Sequence, residues 1–133
     1  MKALLVLEDD SSRRILRRHM KQFRLIEATT AEEALRLFIE HGRQLDLLIA
    51  DVKLPRSTGI QVALLLRTEI LNLPVLLTSG NSPGSWDERD FADLGRLGSD
   101  SVSILGKPFH PQVVLNAVRT LLEGAPSAMV RTA

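Results

Sequence analysis

Five short apolar runs recur along the chain, and stretches with helical spacing separate them. The runs cover residues 2–7, 24–28, 45–50, 74–78 and 101–105. Each has the length of a strand, and charged or turn-forming residues bound it. The third run, Leu45-Asp46-Leu47-Leu48-Ile49-Ala50, is almost wholly apolar and stops abruptly on Asp51. A strand without a polar side has no solvent-facing side, which is how a parallel sheet covered by helices reads. The alternation therefore predicts an α/β chain: a doubly wound, five-stranded parallel sheet with right-handed crossovers.

The intervening stretches fit that plan. From Ser11, apolar residues recur at Ile15, Leu16, Met20 and Phe23, one face of a helix that Asp10 or Ser11 can cap. Thr30 and Glu33 form a capping box ahead of Ala31, Ala34, Leu35, Phe38 and Ile39, and Gly42 stops that helix. Ile60, Ala63, Leu64, Arg67, Ile70 and Leu71 carry the third helix. Val62, Leu65 and Leu66 widen its apolar face, a hint of an interface. The segment from Trp86 to Gly98 is weaker, because Gly95 and Gly98 interrupt the pattern of Phe91 and Leu94, and an irregular fourth helix is expected. Pro111 suits the first position of a last helix, which buries Val114, Ala117, Val118, Leu121 and Leu122.

A chain of 133 residues fits one domain, here 1–123, followed by a patternless tail, 124–133, expected to be disordered. The absence of cysteine excludes disulfide and thiolate chemistry. A net charge of +1 gives no general pull towards nucleic acid. The first apolar run is too short for a signal peptide or a membrane span, so a cytoplasmic location is expected.

In a parallel sheet of this kind every strand ends on one edge, where ligands bind. Glu8 and Asp9 follow the first strand, Asp51 ends the third, Thr78 ends the fourth and Lys107 follows the fifth. Singly, each has a bland reading: a turn aspartate, acids complementing a helix N-terminus, an exposed lysine. Together they bring three carboxylates, a hydroxyl and an ammonium to one edge. Clustered carboxylates repel unless a cation joins them, and Mg²⁺ takes few carboxylates and completes its shell with water and phosphate oxygens. An aspartate can attack phosphorus to give an aspartyl phosphate, and a cation and a hydroxyl then neutralise the transferred group.

These residues resemble the receiver domains of two-component response regulators. Leu4-Leu5-Val6-Leu7-Glu8-Asp9-Asp10 is similar to the family's first strand and acidic pair, and Asp51-Val52-Lys53-Leu54-Pro55-Arg56-Ser57-Thr58-Gly59 to its phosphoacceptor motif. Leu76-Leu77-Thr78-Ser79-Gly80 and Leu105-Gly106-Lys107-Pro108-Phe109 complete the likeness. The resemblance implies a strand order of 2-1-3-4-5 and a cis bond before Pro108. It implies that Asp51 accepts a phosphoryl group from a phosphohistidine on a histidine kinase or histidine phosphotransfer protein. Asp9, Asp51 and the main-chain carbonyl of Lys53 would ligate Mg²⁺, with Glu8 acting through water. Lys107 and Thr78 would bond the phosphoryl oxygens, and the face of the fourth helix, fifth strand and fifth helix would respond and be read by a downstream protein. The chain would be a phosphorylation target rather than an enzyme, supporting its own phosphorylation and slow dephosphorylation, and reads as a stand-alone receiver, monomeric or weakly dimeric.

Three departures from the family stand out. Ile104 occupies the place of the usual Tyr or Phe, and the chain has no tyrosine, so the aromatic switch is not expected. Residues 82–100 are glycine-rich and acidic where the family has a regular helix. Lys53, two residues beyond Asp51, is placed either to shield the phosphoryl group or to compete for an acid. Arg13, Arg14, Arg17, Arg18, Lys21 and Arg24 put six cations on the first helix and its exit, read either as a solvated face or as a docking surface for the phosphodonor. Other readings are a binding module with little switching, a phosphate sink, and an aspartate-nucleophile phosphatase. The last typically needs an acid where Lys53 stands.

Overall fold

The computed structural model describes residues 1–80 and 86–124. Its elements run in the order β1 (Lys2–Val6), α1 (Asp10–His19), β2 (Arg24–Ala28), α2 (Ala31–Glu40), β3 (Leu47–Asp51), β4 (Lys53–Leu54), β5 (Ser57–Thr58), α3 (Gly59–Leu66), β6 (Val75–Ser79), α4 (Glu88–Leu97), β7 (Val102–Gly106) and α5 (Pro111–Leu122). Five of the strands form one sheet in the order β2-β1-β3-β6-β7, the expected 2-1-3-4-5 order once the small β4-β5 hairpin is set aside. All four pairings in it are parallel, and the register puts Asp51 beside Thr78. The expected tail from residue 125 onward and the loop residues 81–85 lie outside the described residues.

The period-two alternation of each strand sorts the core into two layers. Ala3, Leu5, Leu47, Ile49 and Leu76 face α1 and α5, where they meet Leu16, Met20, Val114, Val118 and Leu121. Leu4, Val6, Leu48, Ala50 and Leu77 face α2, α3 and α4, where they meet Ala34, Phe38, Ile60, Ala63, Leu66 and Leu97. β3 is buried along its whole length, Asp51 included. That explains both the continuous apolar run and the fixed position of the carboxylate that ends it.

Three expectations are corrected. Asp9, rather than Asp10 or Ser11, caps α1: its backbone is extended and its carboxylate accepts the Ser12 N–H at 2.9 Å. One carboxylate thus serves both the helix and the sheet edge. The third helix ends at Leu66, and the Arg67 side chain that follows bonds carbonyls at the far end of the sheet. Leu71 consequently lies on the surface, while Val62 and Leu66 are core residues and Leu65 alone of that trio is exposed. The fourth helix is a regular ten-residue α-helix rather than an irregular segment. Asp87 and Asp90 close a reciprocal capping box at its start, and Gly98, at φ 82°, ends it. Its buried positions include Asp90, Asp93 and Leu97, a proper helical stripe in which two members are carboxylates. An apolar periodicity cannot register such a stripe.

Candidate functional site

Asp51 sits at the sheet edge with its side chain buried and both carboxylate oxygens engaged. Oδ1 accepts the Thr78 hydroxyl at 2.6 Å and lies 2.6 Å from the Lys107 ammonium. Oδ2 accepts the Glu8 backbone N–H at 2.9 Å. Lys107 also reaches Asp9 Oδ1 at 2.6 Å, so one ammonium bridges the two aspartates. Thr78 arrives by strand register, Glu8 and Asp9 by the exit from β1, and Lys107 by the exit from β7, where the Lys107–Pro108 bond is cis.

Glu8, Asp9, Asp51, Lys53, Thr78 and Lys107, the six residues selected from sequence, line one cleft of about 170 Å³. Ser79 and Gly80, which follow Thr78 in the same motif, complete its wall. Glu8 contributes its backbone to Asp51 and exposes its side chain at the rim. The Lys53 side chain points elsewhere: its ammonium lies 2.9 Å from Asp90 Oδ2 on α4. Of the two readings of Lys53, the structure has it paired with an acid. Asp90 itself escaped the sequence analysis, although the Asp87-x-x-Asp90 spacing before a helix was a legible capping motif.

The charges are strongly coupled. Burial alone pushes the Asp9 carboxyl up, but hydrogen bonds from Lys107, Ser12 and Ser11 outweigh it and hold the group well below the usual carboxylate range. Burial pulls the Lys107 ammonium down, and Asp51 and Asp9 outweigh it, so its pKa lies above the ordinary lysine value. A depressed acid contributes stability that is present above its unfolded pKa and lost as the pH falls through the folded one; a raised lysine contributes stability present below its unfolded pKa and lost as the pH rises through the folded one. The contribution of the Lys107–Asp9 pair should thus be level between roughly pH 5 and 9, given unfolded values near 3.9 and 10.4. Lys107→Met is expected to lower the urea midpoint by a constant amount across that window, with the gap narrowing below about pH 4. Midpoints measured at a series of pH values check this.

The basic run on α1 is partly neutralised. Asp10 pairs with Arg13, Arg14 and Arg17, and Glu27 on β2 pairs with Arg13 and Arg17. Such exposed pairs contribute little stability but do offset charge. Arg18, Lys21 and Arg24 have no ion pair among the described residues and form what is left of a cationic face. Trp86 is buried in the α4-side core, with its ring centroid 5.5 Å from that of Phe91. His110 is exposed and caps α5 by accepting the Gln112 N–H on Nδ1.

Comparison with known proteins gives a consistent likeness. The family model described as response regulator receiver domain matches residues 4–119. The transcriptional regulatory protein SrrA of Staphylococcus aureus is 31% identical over 129 residues, covering 96% of this chain and 50% of SrrA. The chain therefore spans about half the length of the curated relatives it matches. A putative response regulator from Chloroflexus aurantiacus superposes with a TM-score of 0.73 at 25% identity, covering 92% of this chain and 97% of that one. The chemotaxis protein CheY4 of Vibrio cholerae, at 21% identity, shares the fold with a TM-score of 0.74 over 90% of this chain and 97% of its own. No helix among the described residues is long and apolar enough to cross a membrane.

Proposed function

The chain belongs to the response regulator receiver domain family, and we propose that Asp51 is its phosphoacceptor. The observation that carries this reading is the set of groups around one buried carboxylate: a hydroxyl, an ammonium and a backbone N–H all within 3 Å of Asp51. Such donors already point to where charge collects when a phosphoryl group arrives. In the transfer, a carboxylate oxygen of Asp51 attacks the phosphorus of a phosphohistidine. A P–O bond forms, the P–N bond breaks, and the departing imidazole takes up a proton. Thr78 and Lys107, freed from the carboxylate oxygen, turn to the new phosphoryl oxygens.

The donor set fits Mg²⁺, which needs only one or two carboxylates and keeps several waters. Among the described residues no group of three or more acidic, His or Cys side chains is gathered as a metal cage, which a water-rich Mg²⁺ site does not need. Asp9, Asp51 and the main-chain carbonyl of Lys53 would hold it, with Glu8 through water. When bound, the ion supplies positive charge that offsets the build-up on the transferring group.

Phosphorylation then shifts a conformational equilibrium that a partner protein reads. A shift from mostly off to mostly on needs roughly 5.5 kcal/mol. Charge-assisted hydrogen bonds contribute about 1.5–3 kcal/mol each, so two or three new ones suffice. The phosphodonor is a histidine kinase or histidine phosphotransfer protein. The chain is a target rather than a turnover enzyme; a phosphatase of the aspartate class lacks support because Lys53 occupies the place of its second acid. With Mg²⁺ and acetyl phosphate, intact-mass measurement is expected to find one added phosphoryl group on the wild-type chain and none on Asp51→Asn. Equal labelling of the two would refute the assignment.

A further inference from the structure

The residue that follows the acceptor by two positions is built into both the cleft and the fourth helix. Lys53 lines the cleft, yet its ammonium pairs with Asp90 in the first turn of α4. The two partners differ in freedom. The Lys53 side chain is 47% exposed, whereas that of Asp90 is 5% exposed and fixed by the capping box. Beyond Lys53, the Asp90 carboxylate accepts the Asp87 N–H at a long 3.3 Å. Among the described residues Lys53 is the one cation paired with Asp90, and that carboxylate holds the start of α4. One helical turn on, Asp93 accepts from Gln61 of α3 in the same interface.

We propose that Lys53 is the element that couples the cleft to α4, by moving its ammonium from Asp90 to the oxygens of a phosphoryl group on Asp51. The inference rests on the phosphoacceptor reading above. A phosphoryl group carries nearly two negative charges against one on Asp90, and it would stand in the cleft that Lys53 already lines. Once Lys53 leaves, Asp90 is a buried carboxylate without a cation, and the first turn of α4 must shift to hydrate it or re-pair it. The route needs no aromatic residue at Ile104. It also gives a physical reason for a carboxylate on the buried face of α4 beside the cleft, where an apolar residue would have packed more simply.

The reporter is already in place. Trp86 is the one tryptophan of a chain with no tyrosine, it precedes the Asp87 cap directly, and it packs against Phe91 of α4. Its emission therefore reads the start of α4. Wild type, Lys53→Met and Asp90→Asn are titrated with beryllofluoride in the presence of Mg²⁺, with occupancy followed separately by fluorine NMR. The amide introduced by Asp90→Asn keeps an oxygen to accept the Asp87 N–H, so the cap survives and the ion pair alone is lost. In the wild type, Trp86 emission is expected to change in step with occupancy. Both variants are expected to bind beryllofluoride with little change in emission: Lys53→Met, which leaves Asp90 charged and unpaired, starts from the loaded wild-type emission, and Asp90→Asn, which leaves no charge to re-pair, starts from the unloaded one. Coupling through Lys53 is overturned if either variant shows the full wild-type change on loading, or if the wild type fills without any change. Absence of bound beryllofluoride in all three chains overturns the phosphoacceptor reading itself, and the coupling falls with it.

Discussion

Gly59→Ala is expected to destabilise the chain by about 3 kcal/mol and to suppress phosphoryl acceptance at Asp51, because overpacking at an unyielding site sits at the top of its usual range. A Cβ at this position would lie 2.3 Å from the carbonyl oxygen of Asp51, 2.8 Å from the Ala50 Cβ and 3.0 Å from the Asp51 carbonyl carbon. None of these is the end of a flexible side chain. β3 is held on both sides by β1 and β6, so the Asp51 backbone cannot retreat. The start of α3 is held as well, by the Thr58 cap and by the Gly59 N–H on the Val52 carbonyl. The strain must then fall on the acceptor, moving its carboxylate away from Thr78 and Lys107. Gly80→Ala is the matched control in the same cleft, since none of the described residues lies within 4 Å of its Cβ position. Urea denaturation and the rate of acetyl phosphate labelling read the two effects. A Gly59→Ala chain as stable and as readily labelled as the wild type would contradict the close approach.

Arg67→Met is expected to cost a similar amount, about 3 kcal/mol, with the loss of several hydrogen bonds from a charged donor. The guanidinium bonds the carbonyls of Leu73, Leu97, Asp100 and Ser101. It thereby ties the end of α3 to the end of α4 and the entry to β7. Removing it leaves the carbonyls of Leu73, Leu97 and Asp100 to find water in a partly buried place, while that of Ser101 keeps the Val75 N–H. Burial lowers the pKa of this group, and the nearby Asp100 offsets part of that, but a guanidinium stays charged throughout. Arg67→Lys should rescue little, because a single ammonium cannot span carbonyls that a planar fork reaches together. Thermal melts of the three chains check this. Arg67 lies at the end of the sheet remote from Asp51, so chemical labelling of any folded Arg67→Met should proceed normally, unlike that of Gly59→Ala.

The sheet is legible in the sequence because its strands are buried on both faces, which leaves long apolar runs with sharp polar ends. Asp51 is legible for the same reason, as the point where such a run stops. Glu8, Thr78 and Lys107 follow from the rule that parallel strands all end on one edge. What escapes a sequence reading is any feature whose partner is remote and polar. Arg67 looks like one more residue of a helix until its carbonyl partners, some of them beyond α4, are known. The buried face of α4 looks irregular because Asp90 and Asp93 stand where a core residue is sought, and only Lys53, Gln61 and Arg96 make those positions tolerable. The six-cation face of α1 has Asp10 three and four residues ahead of Arg13 and Arg14, and folding adds Glu27 from β2. The clash reserved for Gly59 is invisible for a further reason: it depends on the approach of two backbones.

The central claim is that a phosphoryl group becomes covalently attached to Asp51, and trapping that bond tests it most directly. Borohydride reduces an aspartyl phosphate to homoserine and leaves a free carboxylate unchanged. After labelling with acetyl phosphate and Mg²⁺ and then reduction, peptide mass mapping should find homoserine at position 51 and at no other aspartate. Homoserine in place of Asp9 or Asp10, or none anywhere in a chain that had gained the phosphoryl mass, would contradict the account.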